Sequence, residues 1–329
     1  MVTGVGLLLV AAALLVAGAE MFAENAGRAG TGLGVTSLAV GLLLAGAEPE
    51  ELVTAVLAAG AARPDLAAGD ALGANITMLT LALGAAAVAR PLPVGPRVRG
   101  YAGASALAGL AALAVVADGR VGRAEGGALV AIYVVGVVAV WRRERRPPVL
   151  GELAELPELG EPAESPQLAG RSAPTGERAA GGRSGVSCTP LLLLLLGIAL
   201  MTAGGWAAVA GAIRAVDSLG VDDSVVGLTL LALATTAELF ALVWAAARRG
   251  VDEVAVAGIV GSAAYNSTIT LGSAALVRPL ELSGLLGPAL LAAALPLVVV
   301  TAGQGGRLNR GSGAVLSLGY VAFVAVVLA

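Results

Sequence analysis

The sequence predicts an all-α polytopic membrane protein with ten transmembrane helices arranged as two inverted five-helix repeats. Three observations carry this. The 329 residues are 57% hydrophobic and only 13% charged, where a soluble chain carries about a quarter charged residues. The apolar stretches are long enough to cross a bilayer core, which takes about 20 residues per helix. One sequence pattern also recurs on either side of a polar break.

The predicted spans are 3–25, 33–60, 67–89, 100–117, 124–141, 189–213, 222–247, 253–276, 281–301 and 311–329. The first could pass for a signal peptide. It lacks a basic leading region, however, and runs straight into Glu20 and Glu24, so it reads as a transmembrane helix. The break, 142–187, opens with RRERRPP and continues through a Pro-, Gly-, Glu- and Ser-rich run. That composition predicts a flexible linker between a first repeat, 1–141, and a second, 188–329.

Arginine placement sets the expected orientation. With the N-terminus outside, the cytoplasmic side receives Arg28, Arg90, Arg97, Arg99, the Arg142–Arg146 cluster, Arg248, Arg249, Arg307 and Arg310. The outer side receives Arg63, Arg120, Arg123, Arg214 and Arg278. The expectation is a multi-pass protein of the plasma membrane with its linker in the cytoplasm.

The repeat is visible directly. LTLALGAAAVARPL (79–92) aligns without a gap to STITLGSAALVRPL (267–280), and Gly73 meets Gly261 at the same spacing. Upstream, Glu51–Leu52 meets Glu238–Leu239 one residue out of register. The copies are separated by five predicted spans, an odd number, which inverts the second relative to the first. Inverted repeats with a binding site at their interface are a recurring plan of secondary transporters.

The residue inventory narrows the chemistry. The sequence has no His, which removes the usual proton relay and commonest metal ligand and leaves proton handling to carboxylates. Cys188 is the only cysteine, so neither an intrachain disulfide nor a thiolate cluster is available. The net charge of −3 says little about partners. A membrane enzyme is disfavoured, because no Asp is expected deep in a span and no Ser sits beside a base.

Ionisable side chains within a span are costly and face a cavity or a partner. LLLAGAEPEELVTAV (42–56) places Glu48, Glu50 and Glu51 inside an apolar stretch. Pro49 disfavours a continuous helix there, so a broken helix with exposed carbonyls and carboxylates is expected. Glu48 and Glu51 are three apart and can share a helical face, with Glu50 pointing elsewhere. The bland alternative is a surface loop. GLTLLALATTAELFALVW (227–244) sets Glu238 beside Thr235 and Thr236, whose hydroxyls suit a hard cation unless they bond back to their own helix. GDALGANITM (69–78) and AGIVGSAAYN (257–266) add Asn75 and Asn266 among small residues that allow close helix packing.

These motifs resemble the cation/calcium exchanger superfamily of sodium/calcium exchanger type, whose two alpha repeats read G-T-S-x-P-E-L followed by G-N-x-x-G-S-N-x-x-N. GAEPEEL (46–52) and ATTAEL (234–239) stand for the first motif, and the two segments just named stand for the second. The resemblance covers nearly the whole chain outside the linker. It implies cation ligation by Glu51 and Glu238, with Thr235, Thr236, Asn75 and Asn266; aligning on Pro49 puts Glu50 in place of Glu51. Departures are Ala47 and Glu48 where Thr and Ser are expected, Asp70 for Asn, Met78 for Asn, Ala237 for Pro and Ala263 for Asn.

The expected function is a secondary antiporter exchanging Ca2+ for H+ or Na+. Glu51 and Glu238 would face each other, with Glu48 assisting. The halves would rock to alternate access, and cation release would be coupled to proton uptake by the crowded carboxylates. Alternatives are a Na+/H+ or other cation/proton antiporter, or a non-transporting sensor or scaffold. The expected partners are small inorganic cations and the lipid bilayer, with no cofactor and no nucleic acid.

Overall fold

The computed structural model describes residues 2–32, 48–144, 188–240, 243, 252–302 and 305–329. Helices dominate it. The first half holds α1 (Val2–Gly32), α2 (Pro49–Gly60), α3 (Pro64–Thr77), a π-helical turn (Met78–Ala82), α4 (Leu83–Ala89), β1 (Leu92–Pro93), α5 (Pro96–Val116), β2 (Arg120–Val121) and α6 (Arg123–Glu144). The second holds α7 (Cys188–Leu219), α8 (Asp223–Val226), a π-helical turn (Gly227–Leu231) and α9 (Ala232–Thr235). It continues with α10 (Asp252–Tyr265), a π-helical turn (Asn266–Thr270), α11 (Leu271–Val277), β3 (Leu280–Glu281), α12 (Leu286–Ala302), β4 (Arg307–Leu308) and α13 (Arg310–Val327).

Among the described residues, six helical stretches are long and apolar enough to cross a membrane: Val2–Phe22, Pro64–Ala89, Pro96–Val116, Arg123–Val140, Thr189–Leu219 and Arg310–Val327. Asp223–Thr235 and Leu286–Thr301 are apolar but shorter. Prolines start α2, α3 and α5 in their first turn, where a missing N–H costs nothing. Of the predicted span 33–60, the residues before 48 lie outside the described residues. So does the predicted linker, apart from its first three residues, which continue α6 to Glu144.

The two halves follow one backbone plan. The π-helical turns at Met78 and Asn266 fall at matching places, and Asn75 bonds to Ala263 at a separation of 188 residues, the same register. After the second segment of each, Arg90 and Arg278 leave the helix in extended conformation, φ −149° and −147°. The repeated Arg-Pro-Leu therefore feeds a short strand each time. β1 pairs with β4 through Leu92 and Leu308, and β2 pairs with β3 through Val121 and Leu280. Each strand pair joins one half to the other, one at either end of α5.

Close helix contacts are built on glycine. Gly84 and Gly126 of the first half meet Gly313 and Gly272 of the second; a Cβ on Gly126 would stand 2.6 Å from the Gly272 carbonyl oxygen. In the same way α1 and α7 touch where Gly18 meets Gly197. Backbones this close gain dispersion and interhelical contact where water exclusion supplies no drive.

Candidate cation site

The site begins where the first acidic motif enters its helix. Glu48 has φ −113° and ψ 77° and sits outside the helix, with Pro49 taking the first helical position of α2. Its backbone carbonyl already accepts from Leu52 N at 3.1 Å. Glu50 and Glu51 follow in the first turn, where the positive end of the helix dipole favours acids. In the second half the matching interruption is at Thr236, with φ −81° and ψ 5° between α9 and helical residues 237–240. A helix can thus break here without the proline that Ala237 replaces. The Thr236 hydroxyl bonds back to the Ala232 carbonyl at 2.7 Å.

Glu48, Glu50 and Glu238 converge, with one carboxylate oxygen of each within 4.8 Å of the others. This differs from the expected pairing on one face: Glu50 lies in the group, and Glu51, though fully buried, is not part of it. The register explains the difference. Displaced by the 188 residues that relate Asn75 to Ala263, Glu238 has Glu50 as its mate, not Glu51. Glu48 Oε1 accepts a hydrogen bond from Ser262 Oγ, across from the first half to the second.

Neutral oxygens surround the acids. Asn75 Nδ2 donates to Ser267 Oγ at 2.9 Å and to the Ala263 carbonyl at 3.1 Å, leaving its Oδ1 without a hydrogen-bond partner among the described residues. Thr270 Oγ1 donates to Asn266 Oδ1 at 3.0 Å. Thr235 Oγ1 donates to Asp70 Oδ1 at 3.1 Å. Asp70 is fully buried in α3, near the start of the stretch Pro64–Ala89. The sequence shows Asp70 as an acid among Ala, Gly and Leu at the place of a motif Asn, and Ser262 as one of the small residues of 257–266.

Four fully buried carboxylates and Glu238, 9% exposed, therefore occupy one interior region. Among the described residues, the ion pairs Arg63–Asp223 and Arg120–Glu281 include none of Glu48, Glu50, Glu51 and Asp70. Such a concentration of carboxyl groups in a low-dielectric interior offers hard oxygen donors of the kind that cations take.

An interior lined by acids, inside a bundle of membrane-length helices, defines an integral multi-pass membrane protein that handles small inorganic cations. The chain belongs to the sodium/calcium exchanger protein family, which it matches over residues 1–142 and 189–329; the family is one of transporters, not enzymes. It is 27% identical over 285 residues to the putative antiporter CaxA of Alkalimonas amylolytica, covering 83% of this chain and 82% of that one. Inner membrane protein YrbG of Escherichia coli is 29% identical over 245 residues, 71% of this chain and 67% of its own. Over 140 residues, 41% of this chain and 40% of the relative, it is 30% identical to the sodium/calcium exchanger MaX1 of Methanosarcina acetivorans. The fold is that of the sodium-calcium exchanger NCX_Mj, solved in crystals soaked with Na+ and Sr2+: TM-score 0.62 over 98% of both chains at 20% identity.

Proposed function

We propose that this protein is a secondary active cation antiporter that exchanges Ca2+ for H+ or Na+ by alternating access. The convergence of Glu48, Glu50 and Glu238 within 4.8 Å carries the reading. Three carboxylates at that spacing repel strongly unless a cation or protons sit among them, so cation and counter-ion compete for the same oxygens. That competition is what an antiporter needs. Ca2+ suits the donor set because it takes six to eight oxygens in flexible geometry, from carboxylates, carbonyls and amides alike.

The reading includes ten spans in two inverted repeats, 1–141 and 188–329, joined by a cytoplasmic linker, in the plasma membrane with the N-terminus outside. The family membership and the shared element order of the halves support it. Glu238, Glu50 and Glu48 bind the cation, with Thr235, Thr236, Asn75 and Asn266 supplying or orienting neutral oxygens, and Glu51 beside them.

Calcium flux into proteoliposomes of the purified chain, driven in turn by imposed proton and sodium gradients, tests this. Flux under one gradient that disappears in E238Q supports the antiporter. Calcium flux that persists in E50Q, E51Q and E238Q alike would sink the site assignment.

A further inference from the structure

A cavity of about 530 Å³ lies between α5, α6 and α10, and none of the acids lines it. Its walls are α5 between Tyr101 and Ala111, α6 between Ala131 and Val140, and Gly261, Ala264 and Thr268 of α10 and the π-helical turn that follows. Sites for small organic molecules span about 300–1,000 Å³. Leu107, Ile132 and Val135 line the cavity and are exposed, so it opens on the outer surface of the helices. α5 and α6 are both of membrane length, and what meets such an opening in a bilayer is hydrocarbon. The lining side chains offer only the hydroxyls of Tyr101, Tyr133 and Thr268, which is a poor setting for water.

The repeat shows why the space is open. α6 corresponds to α13 at a spacing of 187 residues, as from Val121 to Leu308 in the strand ties and from Gly126 to Gly313 in the glycine contacts. Tyr133 then matches Tyr320, and Gly136 matches Phe323. In α13 the rings of Tyr320 and Phe323 lie 6.4 Å apart and both are buried. In α6 the second ring is absent, and a Cβ on Gly136 would meet nothing within 4 Å. Ala264 of α10 matches Ile76 of α3 at the 188-residue spacing, and Ile76 is fully buried. A benzyl group and a branched butyl group in one half thus become a hydrogen and a methyl in the other, and the cavity is the space they leave.

This space backs the helix that serves the cation site. Gly261, Ala264 and Thr268 line it, while Ser262 of the same stretch donates to Glu48 and Ser267 accepts from Asn75. Tyr133, in the cavity wall, meets Tyr265 edge to face at 5.4 Å. An unfilled space here forfeits the packing that α10 would otherwise gain. At one end, Arg97 is exposed on α5 and shares a helical face with Tyr101, Ala104, Ala108 and Ala111, spaced by four, three, four and three residues. It places a guanidinium, well suited to phosphate, where the apolar lining begins.

We propose that the cavity takes one acyl chain of an anionic phospholipid, its phosphate at Arg97, and that this chain fills for α10 the place Phe323 fills in the other half. The proposal stands apart from the antiporter reading and from the choice of cation.

Native mass spectrometry of the delipidated full chain in non-ionic detergent, titrated with palmitoyl-oleoyl phosphatidylglycerol, tests it. The wild type is expected to take up one tightly held lipid per chain. G136F, which restores the ring, should weaken that step by more than about tenfold, since the chain loses its place. A264I narrows the same space from α10 and should act in the same direction. R97Q should weaken the step by about tenfold, the loss of one charged hydrogen-bond partner. The lipid should raise the thermal midpoint of the wild type and leave that of G136F unmoved. A wild type that takes up no lipid, or G136F and A264I that bind it as the wild type does, overturns the site. R97Q that binds as the wild type does overturns the placement of the phosphate. If G136F does not yield a monodisperse protein, A264I decides: an unshifted titration overturns the proposal.

Discussion

The two halves share a backbone plan and divide the chemistry unequally. Helix, π-helical turn, helix and strand recur at a spacing of 188 residues. Yet the first half brings Glu48, Glu50, Glu51 and Asp70 to the interior, and the second brings Glu238 with Thr235, Thr236, Ser262, Asn266 and Ser267. Among the acids, only Glu50 and Glu238 are mates. The glycine contacts and strand pairs that hold the halves together are reciprocal, because each half meets the other through the same surfaces. A small cation is under no such constraint. It needs enough oxygen and enough charge, from whichever side, so the side chains facing it can diverge while the frame cannot.

Removing the symmetric pair is the most severe way to break this division. E50Q and E238Q should each reduce cation exchange by more than ~100-fold in proteoliposome flux, beyond the 10–100-fold typical of partners that only orient a ligand. Near-equal losses in the two would show that the mates act as a pair. E48Q removes an acid whose mate, Thr236, is neutral. It should raise the half-saturating calcium concentration by ~10-fold and leave maximal flux within about threefold, in line with loss of one charged partner.

The frame can be tested apart from the charge. Gly73→Ala puts a methyl against the Leu228 carbonyl, whereas a Cβ at Gly60 meets nothing within 4 Å. Thermal unfolding in detergent should show the first destabilised by about 1–3 kcal/mol and the second unchanged or slightly stabilised. The smallest effect belongs to R63A. The Arg63–Asp223 pair at 2.9 Å is part-exposed, 33% and 17% by side chain, so its loss should cost about 1 kcal/mol or less in the same assay.

The membrane class, the repeat and the acidic motifs were legible because apolar length and an inserted charge are written in composition. The choice between Glu50 and Glu51 was not. They are adjacent, and motif matching tolerates a one-residue slip that turns a helical side chain by 100°. A strict 188-residue register decides it, and the ungapped match of 79–92 to 267–280 carries that register, but the shared Glu-Leu pair draws the motif match one residue away from it. Asp70 is legible as an acid, but its place next to Thr235 is not, since that depends on how tightly Gly69 and Gly73 let two helices approach. The matched Arg-Pro-Leu endings are legible as repetition. Their work as strand ties depends on partners near 121 and 308, far away in sequence.

The π-helical turns at Met78 and Asn266 also carry history. A single π-helical turn is an α-helix with one residue inserted, and an insertion in a buried helix rotates everything beyond it, so it survives only if the surroundings accept it. Finding the same insertion at the same place in both halves is most simply explained if the extra residue was already present in a shorter ancestral chain. Duplication then copied a helix that had already been lengthened. On that account the wound-out turn is older than the two-halved molecule.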